Sequence, residues 1–373
     1  MNLPPSSGLR PERERAWRPR VMGTRSSTER TGREDSAGRQ VHRDRQAAGA
    51  AQRHHGNEPD FALVVVTHNS VRELERLLQS VARFLDPQPP IVVVDTGSDD
   101  DSAATARAHG CTVLELPASA GFGAACNAGV EQVNTAVTVL LNPDCELRDT
   151  SLLELVRFAH KHRSLAVPRL VHGDGSVQDS AHPRPATLAA VLGAIAPRPL
   201  LPRPLRLRIE PYRTNEPRTV GWAIAACLAA KTDLLRALGP FVADDFLFYE
   251  DLDLCLRARR RRIDVWYLPS VTLTHAGGTS VDRAFGERVA TLKAARRREV
   301  VRRQLGRAAL LLDDVCELAT YALRLSARAL ARRATERDRR NLRAHCEAIV
   351  RALARQSLPA GDRGGERAGV DRR

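Results

Sequence analysis

The first sustained apolar pattern in the chain is Phe61-Ala62-Leu63-Val64-Val65-Val66, an unbroken run typical of a strand buried on both faces. Ahead of it, residues 1–58 are rich in Arg, Ser, Gly, Pro and Glu and hold no apolar period, so they read as a disordered basic extension. Beyond it, Val71, Leu74, Leu77, Leu78 and Val81 recur at helical spacing. Ile91 to Val94 is a second buried strand, and Ser98 and Asp99 can cap a helix running through Ala108. Thr112 to Leu116 reads as a strand, Gly123 to Val133 as a helix and Ala136 to Leu141 as a fourth strand. A helix over Leu152 to His162 and a strand over Leu165 to Val171 follow. Strands separated by helices of this length imply an α/β sheet, mostly parallel, with right-handed crossovers.

The pattern then lapses. His182 to Arg218 is Pro-rich and shows no readable regular element, which in a domain usually marks a functional or mobile loop. Order returns at Val220 to Lys231, with helices expected at Thr232 to Leu238 and Asp251 to Arg261. On the second of these, Leu252, Cys255 and Leu256 face the core, while Arg257 and Arg259 to Arg262 point outward. Strands Asp264 to Leu268 and Val271 to His275 come next. Past Ala284 the chain is Arg- and Ala-rich with a helical period to Arg355. The expected division is an extension over 1–58, one α/β domain over 59–283, a helical extension over 284–356 and a disordered tail over 357–373.

Charge changes this picture. Lys and Arg number 58 against 44 acids, a net charge of +14, which favours phosphate-rich or membrane-surface partners. An Arg-heavy, Ala-rich composition is also what a GC-rich genome tends to encode. Nucleic-acid binding is disfavoured, because aromatic residues make up 4% of the chain and no nucleic-acid module is recognisable. The seven cysteines form no C-x-x-C pair, which points away from a zinc site or a disulfide framework and toward a reducing compartment. No secretory leader pattern opens the chain, so a cytoplasmic protein is expected. The longest apolar runs, Leu188 to Ala196 and Ala223 to Ala230, are shorter than the ~18–20 residues a membrane span needs.

Chemistry collects where strands end. Thr67-His68-Asn69 closes the first strand and Asp95-Thr96-Gly97-Ser98-Asp99 the second, where a carboxylate can accept from a pyrimidine imide or from ribose hydroxyls. Gly121-Phe122-Gly123 opens a loop that lets backbone approach a ligand closely. Leu140-Leu141-Asn142-Pro143-Asp144 and Phe248-Tyr249-Glu250-Asp251-Leu252-Asp253 each set acids beside an apolar run. Read singly, such segments also serve as helix-entry turns and caps.

Taken in order, these segments resemble the inverting family 2 glycosyltransferases, in particular their bacterial rhamnosyltransferase-like branch. The likeness covers residues 60–282 and rests on Thr67 to Asn69, Asp95 to Asp100, Gly121-Phe122 with Asn127 and Gly129, Leu140 to Asp144, Phe248 to Arg257, and His275 with Gly278 and Ser280. It implies a nucleotide-diphospho-sugar-binding α/β domain of the GT-A type, in polysaccharide or cell-wall synthesis. Asp251 would be the catalytic base, with Glu250 orienting the acceptor or exchanging roles with it. Thr67, His68, Asn69, Asp95, Gly97, Ser98, Gly121, Phe122, Asn127 and Asn142 would line the donor. Asp144 and His275 would hold a divalent cation, Mg2+ or Mn2+. The implied donor is dTDP-rhamnose or a UDP-hexose, and the acceptor a glycan, a glycolipid or a small molecule. His68, Thr96 and Cys126 depart from the residues usual at their positions, which bears on donor preference. A non-catalytic nucleotide-sugar- or carbohydrate-binding relative is the alternative. The C-terminal helices, with Leu305, Leu310 to Leu312, Val315, Leu318 and Leu325 beside many Arg, suit either a cap on the domain or a peripheral contact with anionic membrane at the inner face of the plasma membrane.

Overall fold

The computed structural model describes residues 59–196, 201–239, 241–242, 248–277, 288–333 and 335–357. The expected extension over 1–58 lies outside them, as does the expected tail over 357–373 apart from Ser357, which ends the last helix; Gly278 and Ser280 lie outside them too. Nine strands build the main sheet: β1 (Phe61–Thr67), β2 (Ile91–Asp95), β3 (Thr112–Glu115), β4 (Val137–Leu141), β5 (Cys145–Leu147), β6 (Leu165–Val171), β8 (Arg218–Val220), β10 (Cys227–Lys231) and β11 (Val265–His275). Among the described residues they run in the order β3-β2-β1-β4-β10-β6-β11-β5, with β8 also paired to β11. A separate two-stranded pair joins β7 (Ala181–His182) to β9 (Trp222–Ala223). The block β3-β2-β1-β4 is parallel. β10 lies antiparallel between β4 and β6, and β6 and β11 are parallel to each other, so six of the nine strands point one way.

Strand alternation explains the two cores. Val64 and Val66 face one side of the sheet, against α3 (Phe122–Glu131), α7 (Thr232–Leu238) and α8 (Glu250–Arg260). Leu63 and Val65 face the other, against α1 (Val71–Phe84), α2 (Ser102–Ala108) and α4 (Leu152–Lys161). Helix α3 sits so close that a Cβ on Gly129 would come within 2.5 Å of Val64 Cγ1.

Four readings of the sequence are corrected. The Pro-rich stretch holds two helices, α5 (Leu188–Ile195) and α6 (Arg203–Ile209). Thr187 caps α5 by accepting from the Ala190 N–H at 3.4 Å, and Pro204 stands in the first turn of α6, where its missing N–H costs nothing. The two final strands are one, β11, with a register shift between Leu268 and Thr272. Pro269 sits at this irregularity, where no ladder N–H is required. Helix α8 starts one residue earlier than expected, at Glu250. Arg257 turns inward, giving Nε to Asp253 Oδ2 at 2.6 Å and Nη1 to the carbonyls of both Leu238 and Gly239.

The C-terminal part forms α9 (Arg288–Leu330), broken at Gly306 (φ 87°, ψ 179°), and α10 (Glu336–Ser357). Val300 and Val301 of α9 are buried in the core that holds α8. Asp253 of α8 accepts from Arg303 at 2.9 Å and from Gln304 at 2.7 Å. The first half of α9 is therefore part of the folded domain. No described helix is long and apolar enough to cross a membrane.

Candidate active site

The carboxyl ends of β1, β2, β4 and β11 share one edge of the sheet, which is where open α/β sheets bind ligands. At the β1–β2 corner, Asn69 N–H donates to Ser98 Oγ at 2.9 Å, and Asn69 Oδ1 accepts from Asp99 N–H at 2.8 Å. Asp95 Oδ1 accepts from Ser98 N–H at 2.9 Å. The second carboxylate oxygen, Oδ2, is buried without a hydrogen-bond partner among the described residues, as is Thr67 Oγ1. Such a buried acceptor calls for a donor. Gly97 has φ +70°, and a Cβ there would lie 2.8 Å from the Ala118 nitrogen, so only Gly fits this turn. His68 is exposed, and its Nδ1 pairs with the Thr96 carbonyl at 3.0 Å.

Phe122 opens α3 and meets Phe241 edge to face at 5.8 Å. Asn127 commits both ends of its amide to the Phe241 backbone, donating to its carbonyl and accepting from its N–H, each at 2.9 Å. Its visible work is to anchor the segment after α7.

Past β4, Asn142 N–H donates to the Ala226 carbonyl at 2.8 Å, fixing the turn that presents Asp144. Asp144 Oδ2 accepts from Gly277 N–H at 3.0 Å, and Oδ1 lies 3.3 Å from His275 Nε2. Gln178 decides the chemistry of this pair. Its Nε2 donates to the His275 carbonyl at 2.6 Å, so its Oε1, 2.9 Å from His275 Nδ1, accepts the Nδ1 proton. A neutral His275 then aims its Nε2 lone pair at a carboxylate oxygen, an arrangement that a proton or a metal cation between them resolves. Metal-ligating histidines are generally oriented in this way, by a hydrogen bond from the other ring nitrogen. Asp144 and His275 thus fit a cation. Cys145 lies within the same 4.8 Å cluster, but burial pushes its thiol pKa well up and its Sγ faces the Ala226 carbonyl at 3.3 Å. Burial works to raise the pKa of Asp144; when His275 is protonated, its hydrogen bond and charge, together with the Gly277 N–H, outweigh burial and hold the carboxyl below the usual range.

Glu250 and Asp251 open α8. Phe248 (φ 73°) and Tyr249 (φ 59°) precede them in consecutive left-handed conformations, a strained entry that persists only where its surroundings hold it. Helix α9 does so: Lys293 Nζ lies 5.0 Å from the Phe248 ring centre and the Arg297 guanidinium 5.7 Å from that of Tyr249. Asp251 Oδ1 accepts from Leu252 N–H at 2.7 Å. Burial pushes the Asp251 carboxyl up to about 6, against the opposing pull of the Leu252 and Ala225 N–H groups and Lys293. Ala225 lies two residues before β10, so Asp251 belongs to the same edge as the other groups. The sequence reading missed Gln178, Lys293 and Arg297. Lys293 had one cue, as one of three lysines among many arginines; Gln178 had none.

Residues 62–227 match the family described as Glycosyl transferase family 2. Over that stretch the chain carries a family 2 glycosyltransferase domain. This transferase is 28% identical over 241 residues to an N-acetylglucosaminyl-diphospho-decaprenol L-rhamnosyltransferase of Mycobacterium tuberculosis, covering 59% of this chain and 77% of that one. It is 22% identical over 222 residues to a low-salt glycan biosynthesis hexosyltransferase of Haloferax volcanii, covering 58% and 67%. Its fold is of the GT-A type, shared with a mannosyltransferase of Pyrobaculum calidifontis in complex with GDP-Man and Mn2+. That match has a TM-score of 0.50 at 16% identity and covers 81% of this chain and 89% of the other.

Proposed function

We propose that this transferase inverts the anomeric centre while moving rhamnose or a hexose from a pyrimidine nucleoside-diphosphate donor to a hydroxyl of a glycan or glycolipid. The observation that carries the reading is Asp251, a carboxylate with its pKa at about 6 on the edge that also holds Asp95 and the Asp144–His275 pair. A base with that pKa is ionised at neutral pH and still basic enough to take a proton. In the step, the Asp251 carboxylate removes the acceptor hydroxyl proton as that oxygen bonds to the anomeric carbon. The bond from that carbon to the diphosphate breaks, its electron pair leaving on the diphosphate oxygen. Glu250 orients the acceptor beside it.

The Asp95 Oδ2 oxygen suits the imide N–H of uracil or thymine, which supports dTDP-rhamnose or a UDP-hexose as donor. Asp144 and His275 would hold Mg2+ or Mn2+, which when bound neutralises charge on the diphosphate. The likeness to a rhamnosyltransferase acting on a decaprenol-linked sugar favours a lipid-linked acceptor. Leu311, Val315, Leu323 and Leu330 on α9 and Val350 and Leu353 on α10 are exposed apolar side chains among arginines. This surface supports peripheral contact with an anionic membrane.

The test is a panel of nucleotide sugars with Mn2+ or Mg2+, scored by nucleoside diphosphate release, with product anomeric configuration read by NMR. Release with a pyrimidine donor and an inverted product is expected. Thermal stabilisation by a donor without release would instead mark a binding protein, and a retained configuration would refute the role of Asp251.

A further inference from the structure

The half of α9 that follows Gly306 is joined to the half before it by charge. The chain turns at Gly306 (φ 87°), and Arg297 before the turn meets Asp313 and Glu317 after it. The guanidinium grips Asp313 with two bonds, Nε to Oδ2 at 2.9 Å and Nη2 to Oδ1 at 2.8 Å, and Nη2 lies 3.2 Å from Glu317 Oε1. The grip is buried, with the Arg297 side chain 12% and the Asp313 side chain 1% exposed. A buried ionic triad adds little to stability, because desolvation offsets the attraction and apolar residues of similar volume would hold the helix as well. Its presence calls for another reason.

That reason is Tyr249. The Arg297 guanidinium stands 5.7 Å from the Tyr249 ring centre and donates to its hydroxyl. Trp222 of β9 meets the same ring at 6.0 Å and 53°. Packing does not complete the enclosure, since a cavity of about 330 Å3 opens against Tyr249, Arg297, Asp313 and Glu317. A ring beside such a void can change rotamer unless a directed interaction holds it. Here it has to be held. Phe248 (φ 73°) and Tyr249 (φ 59°) are both left-handed, and Asp251 follows two residues on, in the first turn of α8.

We infer that Arg297 is a positioning residue for the proposed base: it ties Tyr249 to Asp313 and Glu317, and so makes the half of α9 beyond Gly306 determine where Asp251 stands. The inference rests on the proposed glycosyl transfer and assigns Arg297 no contact with the reacting atoms. Its role differs from that of Lys293. Lys293 acts on the charge of Asp251, whereas Arg297 acts through Tyr249 on the segment that carries it. The two roles predict opposite shifts. Removing a cation beside Asp251 raises its pKa, while loosening the segment lets the carboxyl reach water and lowers it.

The test uses the full-length chain and two variants. Arg297→Lys keeps the charge but cannot make two parallel bonds to Asp313. Arg297→Gln combined with Asp313→Asn and Glu317→Gln removes all three charges together, so that none is left buried and unpaired. In nucleoside diphosphate release, kcat should fall about tenfold in the first and about 100-fold in the second, with donor KM within about twofold of wild type. The acidic limb of the pH–rate profile, set by a carboxyl at about 6 in the wild type, should move to lower pH in both. Denaturant melts across pH 4–8, with no donor present, read the same change without turnover. Wild-type stability should fall between about pH 4 and 6, and that fall should shrink in the variants as the folded pKa drops toward about 4. Should the triple variant melt early, Arg297→Lys carries the test alone. Unchanged turnover, or a loss in which the limb and the stability slope keep their wild-type positions, would make Arg297 a merely structural residue and overturn the inference. A wild type that releases no diphosphate from any donor would sink the proposed reaction, and the stability slopes would still decide the role of Arg297.

Discussion

Replacing Asp251 by Asn should make the protein more stable and far less active, and the two effects share one cause. Burial lifts the Asp251 carboxyl from 3.8 to about 6. A tenfold change in acidity corresponds to about 1.4 kcal/mol, so holding the carboxylate ionised in the fold costs roughly 3 kcal/mol above pH 6. The sign follows from proton counting. Between the unfolded value near 4 and the folded value near 6, the native state holds the proton that the unfolded chain has released. Stability therefore falls as pH rises through that window and levels off above it. Asn carries no charge and lacks this slope. Its amide leaves unpaired one of the two N–H groups that bind Asp251, those of Leu252 and Ala225, at about 1 kcal/mol. A net gain of roughly 1–2 kcal/mol at pH 8, vanishing toward pH 4, is the expected result. Turnover should fall by about 10²–10⁴, the usual contribution of a general base, with donor binding retained. Denaturant melts across pH 4–8 on wild type and variant, paired with rates of nucleoside diphosphate release, measure both. A variant that turns over normally, or whose stability follows the same pH slope as wild type, would refute the reasoning.

Lys293 favours the ionised form of Asp251, so Lys293→Met should move the acidic limb of the pH–rate profile to higher pH; an unmoved limb would place Lys293 outside the base's field. Gln178→Leu removes the acceptor that orients His275, and should weaken Mn2+ binding by about 10–100-fold, as measured by EPR of free Mn2+ with no sugar present. Unchanged affinity would mean that His275 is not a ligand. In flotation with phosphatidylserine-rich vesicles the chain should rise at low salt and detach as salt screens its arginines. A protein that stays at the bottom at every salt concentration contradicts the membrane contact.

Much of the fold could be read because buried strands and amphipathic helices write their periods plainly. The run Phe61 to Val66 and the spacing of Leu74, Leu77, Leu78 and Val81 led directly to β1 and α1. Helices α5 and α6 were hidden because prolines at 183, 185, 197, 199, 202 and 204 flank or start them, and Pro marks helix entrances as readily as breaks. Asp95, Asp144, Asp251 and His275 were legible because each ends or follows a strand or starts a helix. Gln178 was not, since its role comes from a fold that brings it to His275 across 97 residues. Asn127 belongs to a motif, but the structure ties its amide to a backbone 114 residues away.

The C-terminal extension posed a choice between a cap on the domain and a membrane dock, and the structure divides the helix rather than choosing. Before the Gly306 break, α9 contacts residues on either side of the proposed base. Lys293 lies over Phe248, Arg297 lies over Tyr249, and Arg303 and Gln304 bind Asp253. These contacts hold a strained pair of residues that sequence propensity alone disfavours. Beyond the break, the same helix presents Leu311, Val315 and Leu323 to solvent while Asp313 and Glu317 turn to Arg297 of the half before it. One face of this half is thus open to solvent, and another is tied to the half before the break. An Arg-rich composition that a genome's base bias would also produce has here been put to positional use, with arginines 297 and 303 placed where acids of the active-site segment and of α9 require them.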